Sequence, residues 1–212
     1  MAYSAMTPVG EYPKSTLPGF EHYQRYWFRK CECFAVKIKP GEFYVTRHAE
    51  AITTVLGSCV AACVRDPVAG IGGMNHFILP SVEAHSSAPL IESARYGAYA
   101  MEQLINEILK FGGRRERLEV KISGGGNMIR GMSDIGEQNV KFVTDYLRYE
   151  GLKVISSDVG GVQPRSIAYL PLEGRLLVKK LATLHNDKLM EAEEKFQRKI
   201  EAESNAGDVE LF

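Results

Sequence analysis

Apolar positions fall into short compact runs through the first third of the chain, two helical stripes in the middle and one thin stripe near the end. Ala35 to Ile38 and Phe43 to Val45 predict two short strands around a Pro40-Gly41 turn. Ala51 to Leu56 is compact and rich in β-branched residues; Gly57-Ser58 interrupts it, and Cys59 to Val64 resumes the apolar run. Asp66-Pro67 signals a turn, and Ile71 to Leu79 predicts a further strand broken at Gly72-Gly73. Met101, Leu104, Ile105 and Ile108 then recur with the period of a helix face, with Ser93 as its expected N-cap and Gly112-Gly113 as its stop. Leu118, Val120 and Ile122 alternate with polar residues as in a half-buried strand, and the Gly124 to Gly126 loop follows. A second helix is expected from Ser133 or Asp134, with Val140, Val143 and Leu147 as its stripe and Gly151 as its stop. Val154-Ile155 opens a strand that ends at Asp158 to Gly161. Ser166 to Leu170 and Leu176 to Leu181 predict a hairpin around Pro171 to Arg175. Residues 184 to 204 predict a charged surface helix striped by Leu189, Ala192, Phe196 and Ile200.

Strands mixed with two central helices point to an α/β or α+β layered sandwich, in which mixed β-sheets pack against helices. Three stretches are expected: an N-terminal arm over 1–33, partly extended, a body over 34–182, and a charged helix and tail over 183–212. Prolines and glycines interrupt the arm, and its Tyr23, Tyr26, Trp27 and Phe28 are expected to pack on the body. Val209 to Phe212 reads as a frayed end or a short recognition tail.

Composition narrows the function classes. With 212 residues the chain can bury a core without staples. Its 26 basic and 26 acidic side chains cancel, which removes the global positive field of a nucleic-acid binder. No apolar run has the length of a membrane span, and no secretory signal opens the chain, so a cytoplasmic protein without membrane insertion is expected. In a reducing compartment Cys31, Cys33, Cys59 and Cys63 are not expected to pair. Their C-x-C and C-x3-C spacings are not those of a zinc site. Gly124 to Gly126 is followed by no Gly-Lys-Ser/Thr, which argues against a phosphate-binding loop.

The chemistry concentrates at Leu56-Gly57-Ser58-Cys59-Val60. A cysteine directly after Gly-Ser, at a break between strands, can stand at an exposed corner of a sheet. Glycine allows close approach to the main chain, and the amides beyond the turn can point together at an oxyanion. A thiol needs a base to become a nucleophile. His76, in Gly72-Gly73-Met74-Asn75-His76-Phe77, is the first candidate, because a hairpin around Asp66 to Gly70 could bring it beside Cys59. His48 is the second candidate. Thr53 or Thr54 could supply the hydroxyl that orients the histidine. Cys63, inside an apolar run, reads as core.

These residues resemble the CheD family of chemoreceptor glutamine deamidases. The resemblance runs from about Ala35 to Leu181 and rests on several ordered motifs: Val55 to Ala61, Gly72 to Pro80, Tyr96-Gly97 with Ala100 to Glu102, Lys121 to Met128, Ile135 to Asn139, and Asp158 to Gly161. It implies a cysteine–histidine–threonine site made of Cys59, His76 and Thr53, with Thr54 as the alternative; on the chemistry of the turn itself, backbone near Gly57, Ser58 and Cys59 is expected to hold the oxyanion. The resemblance also implies a fold similar to the catalytic domain of cytotoxic necrotizing factor toxins, which are glutamine deamidases with a nucleophilic cysteine. The implied substrate is glutamine on the cytoplasmic helices of methyl-accepting chemotaxis receptors, hydrolysed to glutamate without metal or organic cofactor. A CheC-type phosphatase is the implied partner, and a role mainly as its binding regulator, with little catalysis, is the alternative function. Gln138 and Gly126 depart from the family pattern, which more often has Arg and Ala there.

Overall fold

The computed structural model describes residues 15–80, 88–127, 135–182 and 187–205. Ten strands and three helices follow in chain order: β1 (Arg25–Phe28), β2 (Cys33–Lys37), β3 (Phe43–Thr46), β4 (Ala51–Leu56), β5 (Val60–Asp66), β6 (Ile71–Asn75), α1 (Ala88–Lys110), β7 (Glu119–Gly124), α2 (Ile135–Tyr149), β8 (Lys153–Val159), β9 (Arg165–Leu170), β10 (Arg175–Lys180) and α3 (Asp187–Asn205). The strands form two five-stranded mixed sheets, ordered β1-β2-β4-β9-β10 and β3-β6-β5-β7-β8. Each contains one parallel pair, β2 with β4 and β7 with β8, and is otherwise antiparallel.

One continuous core joins the sheets. Val36, Ile52, Leu56, Ile167 and Tyr169 from the first sheet cluster with Val60, Val64, Met74 and Val120 from the second. The stripe Met101, Leu104, Ile105 and Ile108 of α1, and Val143 and Leu147 of α2, complete the same cluster. The second sheet is therefore covered twice, by the first sheet and by α1 and α2. This explains why β5 is buried from Val60 to Val64 without the alternation of a half-solvated strand. The observed layers are those of the α+β sandwich expected from the sequence.

Three local expectations change. β6 runs unbroken through Gly72 and Gly73, because a Cβ at Gly73 would lie 2.4 Å from the Tyr44 carbonyl oxygen; the glycines admit β3 at close range rather than ending the strand. It stops at Asn75, short of the predicted Leu79. α1 begins at Ala88, so Ser93 lies inside it; Pro89 suits a first helical turn, where its missing N–H costs nothing. The expected start of α2 at Ser133 or Asp134, and the Val209 to Phe212 tail, lie outside the described residues.

Within the first 33 residues, Arg25–Phe28 pairs antiparallel with β2 as an edge strand. Trp27 meets Phe34 edge-on at 5.3 Å. Phe20 packs against Tyr23, Phe43 and Tyr44, so the aromatic cluster docks on the protein's own body. Arg25 pairs with the buried carboxylate of Glu50 at 2.6 Å, and Tyr44 and Thr46 donate hydroxyl hydrogen bonds to the same group. At the β5–β6 turn, Asp66 accepts from the amides of Val68, Ala69 and Arg114 and from Arg117. Burial pulls its carboxyl up, but these donors win and hold it at about 2. α3 packs through Phe196 and Ile200, the latter within the main core.

Candidate active site

The chain crosses from the first sheet to the second between Leu56, the last residue of β4, and Val60, the first of β5. Gly57, Ser58 and Cys59 make the crossing, and all three of their carbonyls are captured from one side. The Gly126 amide donates to Gly57 O at 2.7 Å, the Asn139 side chain to Ser58 O at 2.9 Å, and the Gly125 amide to Cys59 O at 2.7 Å. Asn139, buried on α2, also accepts from the Leu79 amide at 2.8 Å, tying the segment after His76 to this turn. The glycine loop that superficially suggests phosphate binding thus serves as the seat of the turn. Gly124 has a φ of +117°, and a Cβ there would stand 2.2 Å from Cys59 O, so no other residue fits.

With the carbonyls pulled back, the amides of Gly57 and Ser58 face the opposite way and converge. Both donate to the carboxylate of Glu193, on α3, at 2.7 and 2.9 Å, and the Ser58 hydroxyl adds a third bond at 2.7 Å. Two amides and a hydroxyl aimed at one negative group make an anion-binding nest. Among the described residues, no basic side chain forms an ion pair with Glu193.

Hairpin register brings His76 to the cysteine. β5 and β6 pair antiparallel with Cys63 opposite Met74, and the same register resumes beyond β6 as a bridge between Val60 and Phe77. Asn75 fills the gap: its side-chain oxygen accepts from the Ala62 amide at 2.9 Å. The His76 backbone turns instead to the loop before β3, donating to Glu42 O and accepting from the Gly41 amide. Cys59 Sγ, a His76 ring nitrogen and a Glu193 oxygen lie within 4.8 Å of one another.

Of the two threonines, Thr54 reaches the histidine. Its hydroxyl donates to Ile38 O at 2.9 Å and lies 2.8 Å from His76 Nδ1. The single hydroxyl proton is committed to the carbonyl, so the oxygen accepts from Nδ1–H. That fixes the tautomer with a bare Nε2, which has no partner in the buried site and is free to accept a proton. Thr53 faces the other side of β4, where it meets the Tyr26 hydroxyl at 2.7 Å. His48 sits elsewhere, its ring against Ser15 O. Cys63 is core, and Cys31 and Cys33 lie in and beside the first sheet; all four cysteines are free.

The site is sealed. Cys59 is 0% exposed and His76 1%, with α3 as the roof. Burial, reinforced by the Glu193 carboxylate, pushes the Cys59 thiol well above its ordinary range. Burial pushes the His76 imidazole down to about 3. The closed arrangement is therefore a thiol beside a neutral imidazole. By chemistry alone, Cys59, His76 and Glu193 could ligate a metal ion. The N–H and O–H groups aimed at both carboxylate oxygens oppose a cation there and fit an anion or oxyanion instead. A nucleophile, a base with a fixed tautomer and two convergent amides suit acyl transfer from an amide or ester.

Sequence reasoning missed Glu193, Asn139 and the backbone role of Gly125 and Gly126. Asn139 lay within a noted motif but carried no assigned part, and Glu193 sits in a helix that reads as solvated.

A family model described as CheD chemotactic sensory transduction matches residues 78–180. The chain is 49% identical to the probable chemoreceptor glutamine deamidase CheD of Hahella chejuensis, over 94% of this chain and 95% of that one. It is 49% identical to a protein of the same description from Halorhodospira halophila, over 92% and 93%. A third, from Methylobacillus flagellatus, is 51% identical over 88% and 94%. Among solved structures, a Neisseria meningitidis protein of the DUF152 family model overlays with a TM-score of 0.35 at 10% identity, over 57% of this chain and 53% of that one.

Proposed function

This chain belongs to the CheD family, and we propose that it hydrolyses glutamine side chains of methyl-accepting chemotaxis receptors to glutamate through Cys59 and His76. The observation that carries the reading is the convergence of the Gly57 and Ser58 amides beside Cys59, with a Thr54-fixed imidazole on the same group.

In this mechanism His76 Nε2 takes the Cys59 proton, and the sulfur attacks the side-chain carboxamide carbon. The oxygen gains the negative charge and is held by the Gly57 and Ser58 amides. His76 returns the proton to the nitrogen, the C–N bond breaks and ammonia leaves a thioester. Water, deprotonated by His76, then adds to the thioester; the C–S bond breaks, the thiol is restored, and glutamate remains. Thr54 holds the imidazole through Nδ1 throughout. The scheme uses no metal and no organic cofactor.

A CheC-type phosphatase is a further proposed partner, resting on the family resemblance. A role limited to binding it would need neither the bare Nε2 of His76 nor the amide nest, and their presence supports catalysis. We place the protein in the cytoplasm, which its free cysteines support. Among the described residues no helix is long and apolar enough to cross a membrane.

The test is incubation with the cytoplasmic fragment of a receptor, followed by peptide mass spectrometry for the one-dalton gain of Gln→Glu. Cys59→Ala is expected to slow that gain by at least about a thousandfold. Full activity in that variant would overturn the mechanism.

A further inference from the structure

The amide nest that should hold the oxyanion of a substrate already holds a side chain of this chain. Glu193 is 4% exposed and places both carboxylate oxygens on the Gly57 amide, the Ser58 amide and the Ser58 hydroxyl. A Cβ at position 57 would come within 2.8 Å of that carboxylate, so the approach depends on glycine. A glutamate side chain is also the product of glutamine deamidation. Here it is borne on a helix, with its carboxylate within 4.8 Å of both Cys59 Sγ and a His76 ring nitrogen.

The rest of α3 is fitted to the same groove. Gln197, one turn on, donates to Leu79 O at 3.3 Å. Phe196 fills the space over Gly41, where a Cβ would lie 2.1 Å from the ring, and Ile200 is buried in the core. Positions i, i+3, i+4 and i+7 thus form the contact face, the pattern of a helix laid into a groove. The outward positions Glu191, Glu194, Lys195 and Arg198 are exposed.

We propose that α3 occupies the substrate groove as a tethered product mimic, and that the substrate is a helix presenting its glutamine at the Glu193 position with apolar residues three and seven places on. This rests on the deamidase reading above and adds to it a docking surface and a recognition pattern. α3 and the substrate helix cannot be bound together, because both need the Gly57 and Ser58 amides. A tethered competitor acts at an effective concentration on the order of millimolar, so it sets a threshold that a receptor helix must exceed. With those amides occupied the enzyme is held inactive while α3 is seated, and burial beneath the helix, reinforced by the docked carboxylate, holds the Cys59 thiol protonated.

The mimic can be converted into a substrate. In Glu193→Gln the docked helix carries the carboxamide itself. Cys59 Sγ bonds to the side-chain carbonyl carbon, the C–N bond breaks with the proton returned through His76, and ammonia leaves. Water then cleaves the thioester to restore Cys59 and leave a carboxylate. Full-length E193Q should therefore gain one dalton at position 193 on purification or standing, and the double variant C59A/E193Q should keep its carboxamide. Full-length E193A should lower KM for a receptor cytoplasmic fragment by about tenfold or more, since the charge-assisted bonds of the competitor are gone. If the wild type deamidates the receptor while E193Q keeps its carboxamide and E193A leaves KM unchanged, the mimic is refuted and the deamidase reading stands. If neither the receptor nor the E193Q side chain is deamidated, the deamidase reading falls and takes the mimic with it. Conversion at position 193 of E193Q without receptor deamidation by either the wild type or E193A would uphold the mimic and the chemistry, and would refute the receptor as substrate.

Discussion

Replacing Thr54 by Val should cripple catalysis, whereas the same change at Thr53 should not. The two residues are neighbours on β4, but only Thr54 bonds His76, accepting from Nδ1–H at 2.8 Å. Valine keeps the bulk and removes the acceptor, leaving a buried N–H without a partner. Such a donor costs about 1–3 kcal/mol. The histidine can recover part of that cost by moving its proton to Nε2 or rotating, and either change removes the base from the thiol. At about 1.4 kcal/mol per tenfold, the same range corresponds to a fall of roughly 5- to 150-fold in kcat/KM. Thr54→Ser keeps the hydroxyl and should stay within a few-fold of the wild type. Thr53→Val loses contacts to the Tyr26 hydroxyl and to Val36 O, a matter of about 1 kcal/mol of stability with kcat/KM unchanged. The assay is the initial rate of ammonia release from a receptor cytoplasmic fragment, with thermal melts run in parallel. A larger loss in Thr53→Val than in Thr54→Val, or failure of Thr54→Ser to rescue, would refute the assignment.

Asn139→Ala should strand both Ser58 O and the Leu79 amide, lowering stability by about 2–4 kcal/mol in urea titrations and slowing turnover; an unchanged urea midpoint would contradict its bracing role. Acid should weaken the closed fold through His76. Its imidazole is pushed down to about 3, while an unfolded histidine takes a proton below about 6.5, so stability is complete above that value and is lost as pH falls towards 3. Between pH 7 and pH 5 this amounts to about 2 kcal/mol, measurable as a shift in urea midpoint that His76→Gln should largely abolish. Equal pH dependence in the two proteins would rule the histidine out as its source.

The parts of the site that were legible in sequence are those fixed by local geometry. The pairing of Cys59 with His76 needs only a hairpin and its register; the turn signal at Asp66-Pro67 supplied the hairpin, and the structure supplies the register that sets Cys63 opposite Met74. The choice between Thr53 and Thr54 was not legible, because β4 is covered on both faces and both threonines are buried. Alternation marks a face only when one side is wet. β1 escaped notice because four aromatic-rich residues show no period, and only β2 gives them an edge to pair with. Gly72-Gly73 misled for a related reason. Glycine breaks an isolated strand, yet here it is what lets β3 approach β6. Glu193 was the least visible. It lies far along the chain from Cys59 in a helix dense with Glu and Lys, and nothing local separates a carboxylate that seals a site from one that faces water.

The fold draws a physical line between the parts of the site that must hold still and the part that can move. Its floor is fixed by main-chain bonds from several directions: Gly125 and Gly126 hold the turn, Val60 pairs with Phe77, and His76 is bonded to Gly41 and Glu42. These bonds belong to the sheets or abut them, and breaking them means breaking the core. The roof is α3, which reaches the floor through side chains: the Glu193 carboxylate, the Gln197 amide, Phe196 and Ile200. Local opening draws on the elements with the fewest buried links. An opening that lifts α3 exposes Cys59, His76 and the two amides together while their mutual geometry stays intact. It also brings water to the thiol and imidazole, relieving the burial that holds both neutral. Substrate access and activation of the nucleophile are therefore one event in this architecture, governed by the seating of a single helix through Glu193, Phe196, Gln197 and Ile200.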